Sequence, residues 1–184
     1  MHLQQHQGEQ LMAKKNLFTT PKGVAQYPWL NIADTQYDAA GKYKSNLRVK
    51  AAEAQELMAQ IKDAAKEEFG DKAKTARMPF KTDEETGEVV FTSSSKFQPK
   101  FVDSTGKLIP EGKEPQIFGG SQLKLAGSFY CYSNGPNHGV TLQLAGVQII
   151  ELAPAKTIQF EAEEGGFVAA NDNEPDSGEV QYNF

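Results

Sequence analysis

The sequence of 184 residues contains a single cysteine, Cys131, and only three histidines. One cysteine cannot close an intramolecular disulfide, and so few ligands match no familiar zinc-site spacing. No apolar run approaches the roughly 20 residues that a membrane-spanning helix needs, and the N-terminus does not resemble a secretion signal. These absences argue against a metalloenzyme, a secreted disulfide scaffold and a membrane protein, and they favour a reducing compartment.

Signatures of catalysis are missing as well. The sequence contains no P-loop, no dinucleotide-binding glycine fingerprint and no nucleophile elbow. His138 lies in a predicted loop without a spacing to Cys131 that favours a catalytic pair, and the acidic pair Glu84 and Glu85 lies in a predicted turn. We therefore predict a protein that is not an enzyme and has no catalytic residue, metal or cofactor.

Charge is divided unevenly along the chain. The net charge is −5, yet residues 161–184 contain seven acidic and no basic residues, which leaves 19 basic and 17 acidic residues before them. The acidic segment is rich in Gly and Asn and poor in apolar residues, a composition typical of disorder. We predict a mildly basic domain over residues 12–160, followed by an acidic flexible tail over residues 161–184.

The first eleven residues are rich in Gln and His and show no periodicity. A second start-like motif, Met12-Ala13-Lys14-Lys15, follows them. We interpret residues 1–11 as an N-terminal extension added to the natural chain or, alternatively, as a native disordered segment.

Hydrophobic periodicity predicts a mainly β protein with one helix. Residues 42–50 alternate between apolar and polar side chains, which is the pattern of a half-buried strand. Residues 51–69 place apolar side chains at helical spacing, and Gly70 follows where such a helix would end. Shorter strands are predicted at residues 89–96 and 97–103.

Two longer predicted strands, at residues 121–132 and 140–152, are joined by a segment dense in turn-forming residues. They should therefore form an antiparallel hairpin. Gly146, inside the second strand, predicts a bulge or a sharp bend. Bent strands with a single helix are typical of a small barrel or a sandwich, and periodicity alone does not separate the two.

The first strand of this hairpin carries the main candidate binding site. The face that points away from its apolar residues includes Lys124, Tyr130 and Tyr132. Two exposed aromatic rings beside a positive charge suit single-stranded nucleic acid, because any base stacks on a flat ring while cations follow the phosphates. The alternative is that both rings pack beneath a loop and expose only their hydroxyls to water.

A second candidate surface is the polar face of the predicted strand at residues 42–50. Its cations are Lys42, Lys44, Arg48 and Lys50. Such a row would follow a phosphate backbone; the alternative is an edge strand made rich in lysine to prevent aggregation. Trp29 is a further candidate stacking residue, although a lone tryptophan is more often part of a core.

The acidic tail suggests more than the ordinary role of a solubilising segment. A flexible segment of 24 residues reaches about 25–29 Å, far enough to compete for the basic surface of its own domain. The terminal Phe184 suits docking into an apolar pocket of a partner, where its carboxylate would meet a basic group. We expect deletion of residues 161–184 to tighten binding of single strands and to abolish partner recruitment.

A series of short motifs runs in order along most of residues 12–184. The motifs are Met12-Ala13-Lys14-Lys15 with Phe18, Gly41-Lys42-Tyr43-Lys44 with Leu47, Gly119-Gly120-Ser121 with Leu123-Lys124, Val140-Thr141-Leu142-Gln143-Leu144 with Glu151-Leu152-Ala153, and the acidic tail that ends in Phe184. Together they resemble the single-stranded DNA-binding proteins of phage replication, of the kind made by phage T-seven.

The resemblance implies an OB-fold core, which is a five-stranded barrel with one helix after the second strand. It implies binding of single-stranded DNA without sequence preference, annealing of complementary strands, and a role in replication and recombination in the cytoplasm of the infected host. It also implies that the tail recruits the replication DNA polymerase and the helicase–primase. Independently of the resemblance, association of the acidic tail of one copy with the basic surface of another would give a homodimer. Within the family's motif, Tyr132 aligns with the key stacking tyrosine and Lys124 with a basic strand position.

Two other functions stay open at the level of the sequence. An OB-fold protein–protein adaptor would use the barrel and the tail to recruit partners without binding nucleic acid. RNA could replace DNA as the ligand, because no residue in the sequence distinguishes a 2′-hydroxyl. A mobility-shift assay at low salt, with single and double strands, separates the adaptor from the nucleic-acid-binding protein.

Overall fold

The structure, a computed structural model, describes residues 16–168 and 179–182. Within them the chain forms ten strands, one α-helix and one 3-10 helix, so the predicted mainly β class is confirmed. The strands are β1 (Leu17–Thr19), β2 (Gly23–Asp34), β3 (Lys42–Val49), β4 (Phe80–Thr82), β5 (Val89–Ser95), β6 (Lys100–Val102), β7 (Gln122–Asn134), β8 (Asn137–Glu151), β9 (Lys156–Gln159) and β10 (Glu179–Tyr182). The helix α1 spans Ala51–Phe69, and the 3-10 helix spans Gly70–Thr75.

Five of the strands pair into a ring. β2 pairs with β3, β3 with β5, β8 with β7 and β7 with β2, all in antiparallel register. β5 and β8 complete the ring as parallel neighbours, but only where Ser93 lies opposite Leu142 and Ser94 opposite Gln143. The architecture is therefore OB-like, as predicted, although the ring is uneven: long ladders close most of it and a two-residue junction closes the rest.

Three short strands extend the ring at its edges. β1 pairs with β7, β4 with β5, and β6 with β8. Because β1 precedes β2, the helix α1 follows the third strand of the chain, and it follows the second of the strands that form the ring. Three residues are too few to show a period, so the sequence pattern did not reveal β1.

The helix α1 packs against β7 and β8 with the stripe that its periodicity predicts. The buried residues of the stripe are Ala54, Leu57, Met58, Ile61 and Ala65. Full burial of each of the three larger side chains contributes about 1.5–3 kcal/mol. The helix ends at Gly70, whose φ of 57° is a left-handed conformation that a side chain would oppose.

β3 alternates between the core and the outer surface of the ring, as predicted. Ser45, Leu47 and Val49 are buried, and Lys42 is exposed. The basic side chains of this strand therefore lie on the outside of the ring.

β7 and β8 form the predicted antiparallel hairpin, and their pairing continues closer to the turn than the sequence indicates. At Gly127 the two strands approach so closely that any side chain would overlap the backbone oxygen of Gln143. The register shifts at the same place, because Ala145 is skipped between two paired residues of β8. The irregularity that Gly146 predicts is thus present beside it.

Within the described residues, the predicted flexible tail includes a strand, β10. β10 pairs with β9 in antiparallel register, from Glu179 opposite Gln159 to Tyr182 opposite Lys156. These two strands form a small sheet that is separate from the ring. The predicted N-terminal extension, residues 1–11, and the predicted partner-binding residue Phe184 lie outside the described residues.

Candidate nucleic-acid interface

A groove of about 230 Å³ lies on the outer surface of the ring, between β3, β5, β7 and β8. It exists because the pairing of β5 with β8 stops at Ser94 and Gln143, and pairing with β8 resumes only where Lys100, on β6, meets Gly146. Its lining combines two lysines, two aromatic rings and four polar side chains: Lys42, Ser94, Ser95, Lys96, Phe97, Tyr130, Thr141 and Gln143.

The two tyrosines predicted as stacking residues lie on the same face of β7 but in different surroundings. Tyr130 is 51% exposed and lines the groove, while the adjacent Phe129 is buried in the core. Tyr132 is half-buried, and its hydroxyl lies over Gly139, the residue opposite it on β8. The structure therefore presents the ring of Tyr130 to the groove and places Tyr132 beyond the groove lining, nearer the hairpin turn.

One of the four cations predicted on β3 lines the groove. Lys42 is exposed and lines it. The ammonium of Lys44 lies 2.5 Å from a carboxylate oxygen of Asp34 and 5.8 Å from the ring centre of Tyr37. The hydrogen bond from Lys44, together with one from the backbone N–H of Gln36, lowers the pKa of Asp34. Asp34 is therefore ionised at neutral pH and offsets part of the charge that Lys44 would offer to an anion.

Like Lys44, the other two predicted cations do not line the groove. The guanidinium of Arg48 lies 3.1 Å from a carboxylate oxygen of Glu88 and 3.6 Å from one of Asp83. Backbone N–H groups that follow Asp83 in its turn, and then Arg48 itself, lower the pKa of Asp83, so this partner is ionised at neutral pH. Lys50 is exposed beyond the end of β3, where α1 begins. Two carboxylates thus pair with Arg48, and binding of phosphates by the row of four cations stays a prediction.

Trp29 and Lys124 lie outside the groove lining. Trp29 is half-buried opposite Lys44, beyond a bulge in β2 where Tyr27 has a φ of 49°. This register places Trp29 on the outer face, one strand away from the groove. Lys124 is half-buried on β7, six residues before Tyr130, which corresponds to about 20 Å along a strand.

Sequence reasoning missed one aromatic residue of the groove, Phe97. Periodicity predicts a strand over residues 97–103, but the strand begins at Lys100, and Phe97 precedes it with 76% of its surface exposed. Pro99 was the available signal, since a proline cannot donate a hydrogen bond to a strand ladder and so opposes strand pairing there.

Metal-binding clusters and membrane-spanning helices are not found among the described residues. No group of three or more His, Cys, Asp or Glu side chains in residues 16–168 and 179–182 could hold a metal ion. No helix in the same ranges is long and apolar enough to cross a membrane.

Burial, with a smaller effect of the nearby Glu68 carboxylate, raises the pKa of the Cys131 thiol, which keeps the thiol protonated at neutral pH.

The fold and the groove together define a class of protein: an OB-like ring whose outer wall carries aromatic and basic side chains. No family model and no curated protein sequence matches the chain. Solved structures do match it, among them those of phage proteins.

The crystal structure of gp2.5, a single-stranded DNA-binding protein encoded by bacteriophage T7, is similar over 84% of this chain and 98% of that chain, with 26% sequence identity and a TM-score of 0.64. The single-stranded DNA-binding protein of bacteriophage Enc34, solved in complex with single-stranded DNA, is similar over 77% of this chain and 89% of that chain, with 14% identity and a TM-score of 0.60. The predicted resemblance to phage single-stranded DNA-binding proteins is confirmed.

Proposed function

We propose that this protein binds single-stranded DNA without sequence preference during phage DNA replication and recombination. The observation that carries the proposal is the groove in which the exposed ring of Tyr130 lies together with Lys42 and Lys96. The similarity to gp2.5 and to the Enc34 protein, which was solved with single-stranded DNA, supports the same function.

Tyr130 accounts for binding that does not depend on sequence. A flat ring stacks on any base, and such stacking is worth about 1–3 kcal/mol per base. In a duplex both faces of each base are already covered by neighbouring bases, so the ring finds no free face. Preference for single strands over duplexes follows from the ring alone.

The lysines of the groove account for the expected salt dependence. Lys42 and Lys96 are exposed, and an ammonium that neutralises a phosphate releases a condensed counterion. The logarithm of the binding constant should then fall by about 0.7 per phosphate contact for each tenfold increase in salt. Lys44 contributes less, because Asp34 already offsets part of its charge.

Strand annealing follows from the same contacts. Stacking on a base face and attraction to phosphates leave the hydrogen-bonding edges of the bases without protein partners. Two coated complementary strands can therefore pair while the phosphate repulsion between them is reduced.

The proposal extends to partners through the acidic tail. It recruits the replication DNA polymerase and the helicase–primase, with the carboxylate and ring of Phe184 as the docking group, and the protein acts in the cytoplasm of the infected bacterium as a monomer or a homodimer. The seven acidic residues of positions 161–184, without a single basic residue, support this role because they suit a basic partner surface.

The test is an equilibrium titration of labelled oligo-dT, mixed-sequence single strands and duplexes at several salt concentrations. We expect equal affinity for the single strands, weaker binding of duplex, and a linear fall of log K with log salt. Tyr130→Ala should weaken single-strand binding about 5- to 100-fold without lowering the melting temperature. Phe160→Ala, which removes a ring that is 66% exposed and does not line the groove, is the matched control and should bind as the wild type does.

Failure to bind oligo-dT at low salt would reject the proposal and favour the adaptor. A chain that lacks residues 161–184 should bind single strands more tightly in the same titration. In a separate pull-down, it should no longer retain the polymerase. Equal affinities of the truncated and full-length chains would contradict competition by the tail.

A further inference from the structure

We propose that Phe97 closes the groove on the side opposite Tyr130, so that an unpaired base is held between the two rings. The proposal rests on the proposed function and assigns a nucleobase subsite within it. It concerns a residue that neither the sequence pattern nor the motifs of the family singled out.

Phe97 lies in the segment of residues 95–99, which we call the arch. This segment connects β5 to β6 and has more residues than the stretch of β8 that it spans. β5 leaves β8 where Ser94 lies opposite Gln143, and β6 joins β8 where Lys100 lies opposite Gly146. Lys100 follows Ser94 by six residues, but Gly146 follows Gln143 on β8 by only three. The excess residues cannot pair in the sheet, and they form a segment in which Lys96, Phe97 and Gln98 are exposed.

The arch is anchored on both sides of Phe97. Ser95 and Pro99 are buried, and the hydroxyl of Ser95 accepts a hydrogen bond of 3.0 Å from the backbone N–H of Phe97. The side chain of Gln98 donates a hydrogen bond of 3.4 Å to the backbone oxygen of Asn31. The backbone is thus held in place, while the ring between the anchors is 76% exposed.

The arch places the ring of Phe97 in the same groove as Tyr130. Within residues 16–168, neither of the two rings is in contact with another aromatic ring, and both are more than half exposed. Lys42 and Lys96 line the groove as well, and they can neutralise the phosphates on either side of a held base.

A single exposed apolar side chain is common on protein surfaces and would carry no such inference. Phe97 differs because an anchored backbone presents it, because a second ring lines the same groove, and because lysines stand beside it. A base that is paired within a duplex cannot enter between two rings. The subsite would therefore select single strands more sharply than Tyr130 does alone.

The test compares Phe97→Ala and Phe97→Leu with the control Phe160→Ala in titrations of oligo-dT and of duplex. Phe97→Ala should weaken oligo-dT binding about 5- to 100-fold. Phe97→Leu should be nearly as weak, because leucine retains the apolar bulk but has no flat face. Duplex affinity, the salt slope and the melting temperature should stay at the wild-type values in both variants, since no charge and little buried surface is lost.

A double-mutant cycle with Tyr130→Ala tests whether the rings share one base. If they do, the combined loss is smaller than the product of the two single losses, because a base released by one ring is no longer held by the other. A combined loss equal to that product would overturn the shared subsite. Wild-type oligo-dT affinity in Phe97→Ala, with a clear loss in Tyr130→Ala, would overturn the inference and leave the proposed function intact.

Discussion

The two ends of β3 carry similar cations in different surroundings. At the first residue, Lys42 is exposed in the groove and forms no ion pair with any other described residue. Near the last residue, Arg48 is bound by Glu88 and Asp83. Both cations follow the same alternation of buried and outward residues along β3. The two ends differ because the fold places two carboxylates beside Arg48. A cation in such a row is available to an anionic ligand only where the fold places no carboxylate beside it.

Among the changes that test this comparison, the largest difference should appear between variants that remove one cation at each end of β3. Lys42→Gln removes a cation that lines the groove, so we expect several-fold weaker oligo-dT binding at low salt and a salt slope reduced by about 0.7. Arg48→Gln should leave both quantities unchanged and should lower the free energy of unfolding by up to about 1 kcal/mol, the range for partly exposed ion pairs. Titrations at several salt concentrations and urea denaturation measure the two effects. Loss of DNA affinity in Arg48→Gln, with none in Lys42→Gln, would reverse the comparison.

A smaller effect should appear when Lys44, which lies between the two ends, is released from its partner. Asp34→Asn removes the carboxylate that pairs with Lys44, so oligo-dT affinity should rise about two- to fivefold and the salt slope should steepen by up to about 0.7. Asp38→Asn is the matched control, because it removes the same charge from a residue that forms no ion pair with another described residue. Equal gains in the two variants would show that net charge, and not the release of Lys44, is responsible.

The smallest effect concerns acid, and it depends on two carboxylates that pair with cations of β3: Asp34, which is buried, and Asp83, which is partly exposed. The pKa values of Asp34 and Asp83 are both lowered from 3.8 in the folded chain. A carboxyl whose pKa falls on folding stabilises the fold above its unfolded pKa, and this stabilisation is lost as the pH falls through the folded pKa. We expect a steady melting temperature down to about pH 5, a decline below about pH 4, and a shallower decline in Asp83→Asn. Circular dichroism melts across this range measure it, and identical acid profiles for Asp83→Asn and the wild type would remove Asp83 as a cause.

The parts of the fold that the sequence predicts are those that depend on local periods. The helix over residues 51–69 combines a continuous apolar stripe with a glycine at its end, and both signals are contained within one element. The hairpin of β7 and β8 is predicted for the same reason, since turn residues separate two alternating segments. The strands β1 and β10 were not anticipated, because three or four residues are too short to show a period.

The candidate site also has some features that local periodicity predicts and others that it does not. The outward direction of Lys42 and Tyr130 follows from the alternation of their own strands. The neutralisation of Arg48 depends on carboxylates that lie 35 and 40 residues further along the chain, and no local pattern connects them. The position of Phe97 depends on how many residues β5 and β6 use to cover a shorter stretch of β8, which only the strand register shows.

The two-residue parallel junction of β5 and β8 has a consequence for the size of the ring. A barrel closed everywhere by long ladders has a fixed circumference, because any change would break a whole series of hydrogen bonds. Here the circumference can change by parting one short contact at Ser93 and Ser94, while the ladders of β3 with β5 and of β7 with β8 stay intact. Since Ser94 belongs both to that contact and to the groove lining, parting the contact would change the width of the groove and the circumference of the ring together.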